Sequence, residues 1–362
     1  MRDTMTNQTR TSQLVPSLKT QPKVAVLLNG NAKRVSRRLI KKLERQIPRE
    51  HIYYSTTMEE AHRYCEAIYH GAYDVVFTGG GDGTLMNCVT ELQKFHREDA
   101  KPKSLPVLGV LHLGTGNAVA STLSADSRIT PDIEQARSGN GIDIRRQRWV
   151  VANGKRAPFA GFGYDSLILN NYQRIKNSTA NTIFAPFGHG GWGYFFAITC
   201  LSIPATLLRK RPHVEVINEG STAYLLGPDG QPVKEFASGE LLYEGDASLV
   251  GAGTVPCFGY HFRIFPFATS GEKMHLRVAN VSSLEAVANL PSLWRGKWRH
   301  PQLFDFHADN VRIRFKEEQP LQIGGDAVGF EKETVFSLSE EHTFLADLSA
   351  ARKRPALQPM PA

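Results

Sequence analysis

Cysteine is scarce in this chain, with four in 362 residues, namely Cys65, Cys88, Cys200 and Cys257. They are widely spaced and lie mostly in apolar patterns, which excludes a disulfide scaffold and reads as buried free thiols in a reducing compartment. A zinc-ligand cluster, an aromatic RNA-binding signature and a long basic helix are all missing, so nucleic acid is not an expected partner. Residues 1–22 lack an apolar core and are not a secretory signal peptide. Their Ser, Thr and Gln content reads as a disordered leader with faint transit-peptide character. Residues 351–362, rich in proline and basic residues, read as a loose tail. Acidic excess is absent too. Lys plus Arg number 43 against 35 Asp plus Glu, and the net charge of +8 favours anionic partners such as nucleotides or an acidic membrane surface.

What is present is organised around Tyr73-Asp74-Val75-Val76-Phe77-Thr78-Gly79-Gly80-Gly81-Asp82-Gly83-Thr84. An apolar run with two valines predicts a buried parallel strand. It breaks into glycines, and a helical pattern follows through Leu85, Cys88, Val89, Leu92 and Phe95. Strand, glycine turn and helix start together aim backbone amides and a helix dipole at an anion. Glycine allows a phosphate to approach the backbone closely. A carboxylate at Asp82 would repel that phosphate unless a cation or a proton transfer lies between them. This points to Mg²⁺-nucleotide chemistry over passive anion binding. The competing reading is an ordinary tight turn.

Taken in order, the chain predicts a strand at 23–28 ending in Asn29-Gly30-Asn31, a basic helix over 35–46, and a strand at 52–54. Thr57 with Glu60 makes a capping box for the next helix. After the glycine loop come a helix over 85–96, a strand at 107–111, the turn His112-Leu113-Gly114-Thr115-Gly116-Asn117 and a short helix. Alternating strands and helices predict a doubly wound parallel α/β sheet over 23–145, with both glycine loops at the carboxyl ends of strands. Near 143 the pattern changes to a hairpin turning on Asn153-Gly154 and further strands at 213–217, 222–226, 240–243, 262–267, 274–279, 311–315, 321–323 and 334–338. This predicts a mostly antiparallel, β-sandwich-like domain over 146–350, with a ligand cleft between the two domains. Trp192 to Leu208 is uncharged, too short and proline-broken to span a bilayer, and ends in Arg209-Lys210-Arg211. It reads either as a buried helix or as an interfacial, lipid-lining one. Trp294 and Trp298 among Arg295, Lys297 and Arg299 repeat that aromatic and basic theme.

Together these features resemble the diacylglycerol kinase catalytic-domain family, which includes bacterial lipid kinases, sphingosine kinases and ceramide kinases. The resemblance runs from about 23 to 346. It rests on Gly80-Gly81-Asp82-Gly83-Thr84, on Pro106 through Ala120 with its Gly114-Thr115-Gly116-Asn117 turn, on Gly161-Phe162-Gly163-Tyr164-Asp165, on Gly193-Tyr194, and on Leu290-Pro291 to Gly296 followed by Val311-Arg312-Ile313. It implies ATP- and Mg²⁺-dependent phosphoryl transfer to a lipid hydroxyl, diacylglycerol or a related glycerolipid first and ceramide or a sphingoid base second. By position, Gly79, Gly80, Gly81, Asp82, Gly83, Thr84, Gly114, Thr115, Gly116 and Asn117, with Asn29, would hold the nucleotide. Asp165, Arg174 and Lys176 are candidates for substrate and phosphate contacts. The implied setting is cytoplasmic and peripheral to the inner face of a membrane, with anionic lipids as partner and a homodimer as an open option.

Two departures stand out. The family's Asn-Pro-x-x-Gly is here Asn29-Gly30-Asn31-Ala32-Lys33, without the proline. Its late Asp-Gly-Glu is here Gln322-Ile323-Gly324-Gly325-Asp326, leaving one acid. Asp326 is favoured as the base, with Asp82 organising Mg²⁺; the reverse assignment stays open, and either acid could touch the metal. A cofactor kinase acting on NAD, or a non-catalytic nucleotide- or lipid-binding regulator, are the competing functions.

Overall fold

The computed structural model describes residues 16–114, 117–123, 129–139, 142–163, 210–259, 261–269 and 271–348. Thr115, Gly116, Asp165, Arg174, Lys176, Gly193-Tyr194 and the segment 192–208 lie outside them, as do residues 1–15 and 349–362. Within residues 16–22, Leu18 packs against the core and Lys19 Nζ pairs with Asp74 at 2.8 Å.

The first sheet is built from β1 (Val24–Asn29), β2 (Ile52–Ser55), β3 (Val75–Gly80) and β4 (Val107–His112), all parallel, in the order β2-β1-β3-β4. Period-2 alternation sends the residues of β1 to two faces. Val24, Val26 and Leu28 meet Leu43 of α1 (Arg37–Leu43), Ile47 beyond that helix, and Ile133 of α5 (Ile129–Ser138). Ala25 and Leu27 meet α2 (Met58–His70) and α3 (Asp82–Glu98) through Cys65, Ile68, Leu85 and Cys88. Helices on both faces make the sheet doubly wound, and the chain reverses its winding direction between β1 and β3. The capping box of Thr57 and Glu60 is present at the start of α2. Cys65, Cys88 and Cys257 are buried free thiols.

The second unit is a 12-stranded sheet. Its hairpin of β6 (Val150–Ala152) and β7 (Lys155–Ala157) turns on Asn153 and Gly154, with φ of 47° and 72°. Two left-handed residues define the turn whose twist suits a two-residue hairpin. β8 (Phe159–Gly163) leaves that hairpin to pair with β13 (Leu249–Gly253) and β16 (Asn310–Ile323). The strands expected at 311–315 and 321–323 are one strand, β16, and the one expected at 334–338 is the end of β17 (Asp326–Leu338). The alternation at 262–267 does not produce a strand. Its amides go to irregular partners, Arg263 N to Trp294 O and Phe265 N to Pro256 O, while Phe262, Ile264 and Phe265 plug the junction between the two units. Buried apolar residues in a wedge carry the same spacing as a strand, and only tertiary packing separates the two.

Sheet membership crosses the expected boundary near 146. β18 (Thr343–Asp347) returns to the first sheet parallel to β4, and β5 (Asp143–Gln147) pairs antiparallel with β18. Trp149 is fully buried where the units meet, and its Nε1 donates to Thr343 Oγ1 at 2.8 Å. One continuous core, from Leu27 through Trp149 to Phe265, therefore holds both units in register.

On the face of β14 (Met274–Ala279) and β15 (Leu303–Ala308) away from the main β core, Arg277 forms a two-pronged bond to Asp305, at 2.6 and 2.9 Å. His275 Nε2 lies 2.9 Å from the same carboxylate, and all three are buried. Trp298 is also buried, against Ala279 and Val281, while Trp294 stacks on Phe262 at 4.9 Å between centroids.

Candidate active site

A cleft of about 590 Å³ opens between the units. Its α/β wall carries Asn29 at the end of β1, Ser55 at the end of β2 with Thr56 after it, and Asp82, Gly83 and Thr84 in the first turn of α3. The opposite wall carries Gly154, Lys155 and Arg156 of the β6–β7 hairpin, with Gly324 and Asp326 of the β16–β17 turn. The α/β wall straddles the switch point between β1 and β3, where open α/β sheets bind ligands.

The glycine stretch divides into structural and open positions. A Cβ at Gly79 would meet the Leu28 side chain, and one at Gly80 would collide with Thr84, whose Oγ1 accepts from Asn29 Nδ2 at 3.2 Å. Gly114 would collide with Gly81 and Gly80, so the two loops touch backbone to backbone. Around Gly83 there is open space instead. Gly81, the N-cap of α3, has no side-chain cap, and α3 begins at Asp82, earlier than its apolar stripe indicated. Open glycine at the uncapped start of a 17-residue helix is an anion cradle in form.

Asp82 occupies an unexpected position. Its Oδ2 accepts the amide of Ala118 at 2.8 Å and its Oδ1 that of Val119 at 3.1 Å, at the start of α4 (Ala118–Thr122). Burial pushes its pKa up, against the two amide bonds that lower it. Asn117, expected on the nucleotide, is 2% exposed with φ of 50°, and its side chain closes the turn on Gly114, whose amide it accepts at 3.0 Å. Its side chain thus shapes the loop from within.

The two departures have local causes. A Cβ at Gly30 would lie 2.5 Å from the Tyr54 ring, so a side chain at the proline position would require that ring to move. Asn29 Oδ1 accepts the Asn31 amide at 2.9 Å, and this Asx turn constrains the loop in the proline's place. Gly324 and Gly325 have φ of 63° and 90° and form the two-residue turn joining β16 to β17, with Ile323 paired to Asp326. Asp326 is exposed at the cleft edge.

Of the expected site residues, Asn29, Asp82, Gly83, Thr84 and Asp326 meet at one cleft. Lys155 and Arg156 were not anticipated; the Asn-Gly turn just before them was the available signal. Among the described residues, no group of three or more His, Cys, Asp or Glu side chains could hold a metal.

Residues 23–146 match the family model described as the diacylglycerol kinase catalytic domain. The chain is 33% identical over 85 residues to proteins described as probable lipid kinase YegS from Escherichia coli O1:K1 and from strain SMS-3-5. That match covers 24% of this chain and 27% of each relative's length. Among solved structures, a putative diacylglycerol kinase from Bacillus anthracis str. Sterne superposes with a TM-score of 0.62 at 19% identity, covering 90% of this chain and 97% of the other. Another diacylglycerol kinase structure from that organism gives 0.59 at 17% identity, with the same coverage. These two likenesses establish the shared two-unit fold. By the family match, residues 23–146 of this chain form a domain of the diacylglycerol kinase catalytic-domain family.

Proposed function

We propose that the protein is a lipid kinase that moves the γ-phosphoryl group of ATP to a lipid hydroxyl, with diacylglycerol or a related glycerolipid as acceptor. The observation that carries this reading is the cleft: an open glycine cradle on the α/β wall faces an exposed carboxylate, Asp326, on the β wall. Phosphoryl transfer demands mainly positioning and charge neutralisation. Amides of the α3 first turn would hold the phosphates, with Asn29 bracing Thr84 beside them. The acceptor oxygen forms its bond to the γ-phosphorus as the β–γ bridge breaks and ADP leaves; Asp326 takes the hydroxyl proton. Asp326 is the better base because both oxygens of Asp82 already accept amides. Mg²⁺, when bound, supplies charge neutralisation on the phosphates.

The same reading includes peripheral contact with an anionic membrane. Among the described residues no helix is long and apolar enough to cross one. Support comes from α6 (Ser283–Ala288) and α7 (Leu290–Trp294), where Leu284 is 59% exposed and Arg295 and Lys297 stand exposed just beyond. Apolar and cationic side chains presented together suit a head-group boundary.

The test is a labelled ATP–Mg²⁺ assay on mixed micelles with diacylglycerol, ceramide, sphingosine and phosphatidylglycerol offered separately. One labelled lipid product establishes the reaction and its acceptor. Labelled NADP from NAD, with no lipid product, would replace this reading with that of a cofactor kinase.

A further inference from the structure

We propose that Lys155 is the cation that recognises the nucleotide's terminal phosphates, so that the β unit supplies one jaw of the phosphate site. This inference rests on the kinase reading.

The charge inventory of the cleft leads to it. Two carboxylates, Asp82 and Asp326, and two cations, Lys155 and Arg156, line the walls. The glycine loop itself brings amides but no cationic side chain, and a nucleoside triphosphate carries several negative charges. Arg156 is committed elsewhere: its Nη2 donates to Glu341 Oε2 at 2.8 Å, and Arg97 holds the other oxygen of Glu341. Lys155 is exposed, and its ammonium has no side-chain or carbonyl partner among the described residues. Its backbone is fixed all the same. The left-handed pair Asn153 and Gly154 closes the hairpin, Lys155 pairs with Ala152, and Asn153 Nδ2 donates to Glu331 Oε1 at 2.9 Å on β17.

A free ammonium on a rigid hairpin, facing the uncapped start of α3 across the cleft, is suited to a phosphate as a point charge. Its flexible stem also lets it follow the γ-phosphoryl group during transfer. Lys155 is a positioning residue in this scheme, and the phosphate, not the base or the lipid, is what it reads.

The experiment compares wild type, Lys155→Met and Lys155→Arg for equilibrium binding of ATP, ADP and adenosine with Mg²⁺, alongside steady-state kinetics. Loss of one charge-assisted contact predicts ATP binding weaker by about 10- to 100-fold in Lys155→Met, with recovery in Lys155→Arg. Adenosine affinity, KM for the lipid, vesicle binding and the unfolding temperature should not move. Unchanged ATP affinity in Lys155→Met overturns the proposal, as does an equal loss for ATP and adenosine. A change confined to vesicle binding also overturns it and assigns the ammonium to lipid phosphates. A wild-type protein that binds no nucleotide overturns the kinase reading itself, before any variant is compared.

Discussion

The carboxylate of Asp82, in the first turn of α3, accepts the backbone amide of Ala118, the first residue of α4, at 2.8 Å. With the neighbouring bond to Val119, this contact clasps the loop after β3 to the loop after β4. From sequence, this acid reads as organising Mg²⁺ or as the base; the structure adds a mechanical role.

Asp82→Asn should therefore loosen the clasp, since an amide offers one acceptor oxygen where the carboxylate offers two. Stability should fall by about 1 kcal/mol and kcat/KM by about 10²-fold, from the loss of preorganisation. Denaturant unfolding and steady-state kinetics read the two effects separately. Burial raises the wild-type carboxyl above its unfolded value, so ionising Asp82 in the fold costs stability above the ordinary carboxylate pKa, a cost relieved by protonation as pH falls. An acid limb in the activity profile that lies above the ordinary carboxylate range, and is missing in Asp82→Asn, would report it.

Gly83 and Gly114 should respond oppositely to alanine. A Cβ at Gly83 meets nothing within 4 Å, so Gly83→Ala should fold normally and lose nucleotide affinity. A Cβ at Gly114 collides with the backbone of Gly80 and Gly81, so Gly114→Ala should lose about 1–3 kcal/mol of stability. Thermal unfolding with and without nucleotide distinguishes them.

Asp326→Asn tests the base. Turnover should drop by about 10²–10⁴-fold while ATP affinity stays within a factor of two or so of wild type. A variant that turns over normally would pass the role of base to Asp82.

The buried trio of Arg277, Asp305 and His275 should make the β unit acid-sensitive. Although burial opposes it, Arg277 and His275 together hold the Asp305 carboxyl well below the usual range. That contribution is complete above the ordinary carboxylate pKa and is lost as pH falls through the depressed value. Burial likewise lowers the pKa of His275, so its neutral form contributes fully above about pH 6.5, and the contribution fades as pH falls through its folded pKa. Arg277→Met should cost about 3–5 kcal/mol at pH 7 by leaving a buried carboxylate unpaired. Denaturant midpoints from pH 7.5 to about 4.5 would follow the His275 change, and extending the series below about pH 4 would follow that of Asp305.

For membrane contact, Leu284→Asp combined with Arg295→Glu should abolish sedimentation with anionic vesicles and leave nucleotide binding intact. Unchanged sedimentation would separate this patch from any membrane role.

The amino-acid sequence alone determined the parallel sheet, the glycine loops, the capping box at Thr57 and the antiparallel character of the second half. Each of these is local: period-2 runs, glycine turns and a Thr-x-x-Glu spacing act over a few residues. It also carried the family motifs that single out Asn29, Asp82 and Asp326. Tertiary structure alone decided the rest. Residues 262–267 alternate as a strand would, yet form a wedge, because burial on an irregular surface leaves the same pattern. Thr343–Asp347 joins the first sheet some 230 residues after β4, a pairing set by the continuous core around Trp149 and by no local signal. Lys155 looks like any solvated cation in sequence. What singles it out is the hairpin's place across the cleft from Gly83, because opposition across a cleft is a property of packing and not of spacing along a chain.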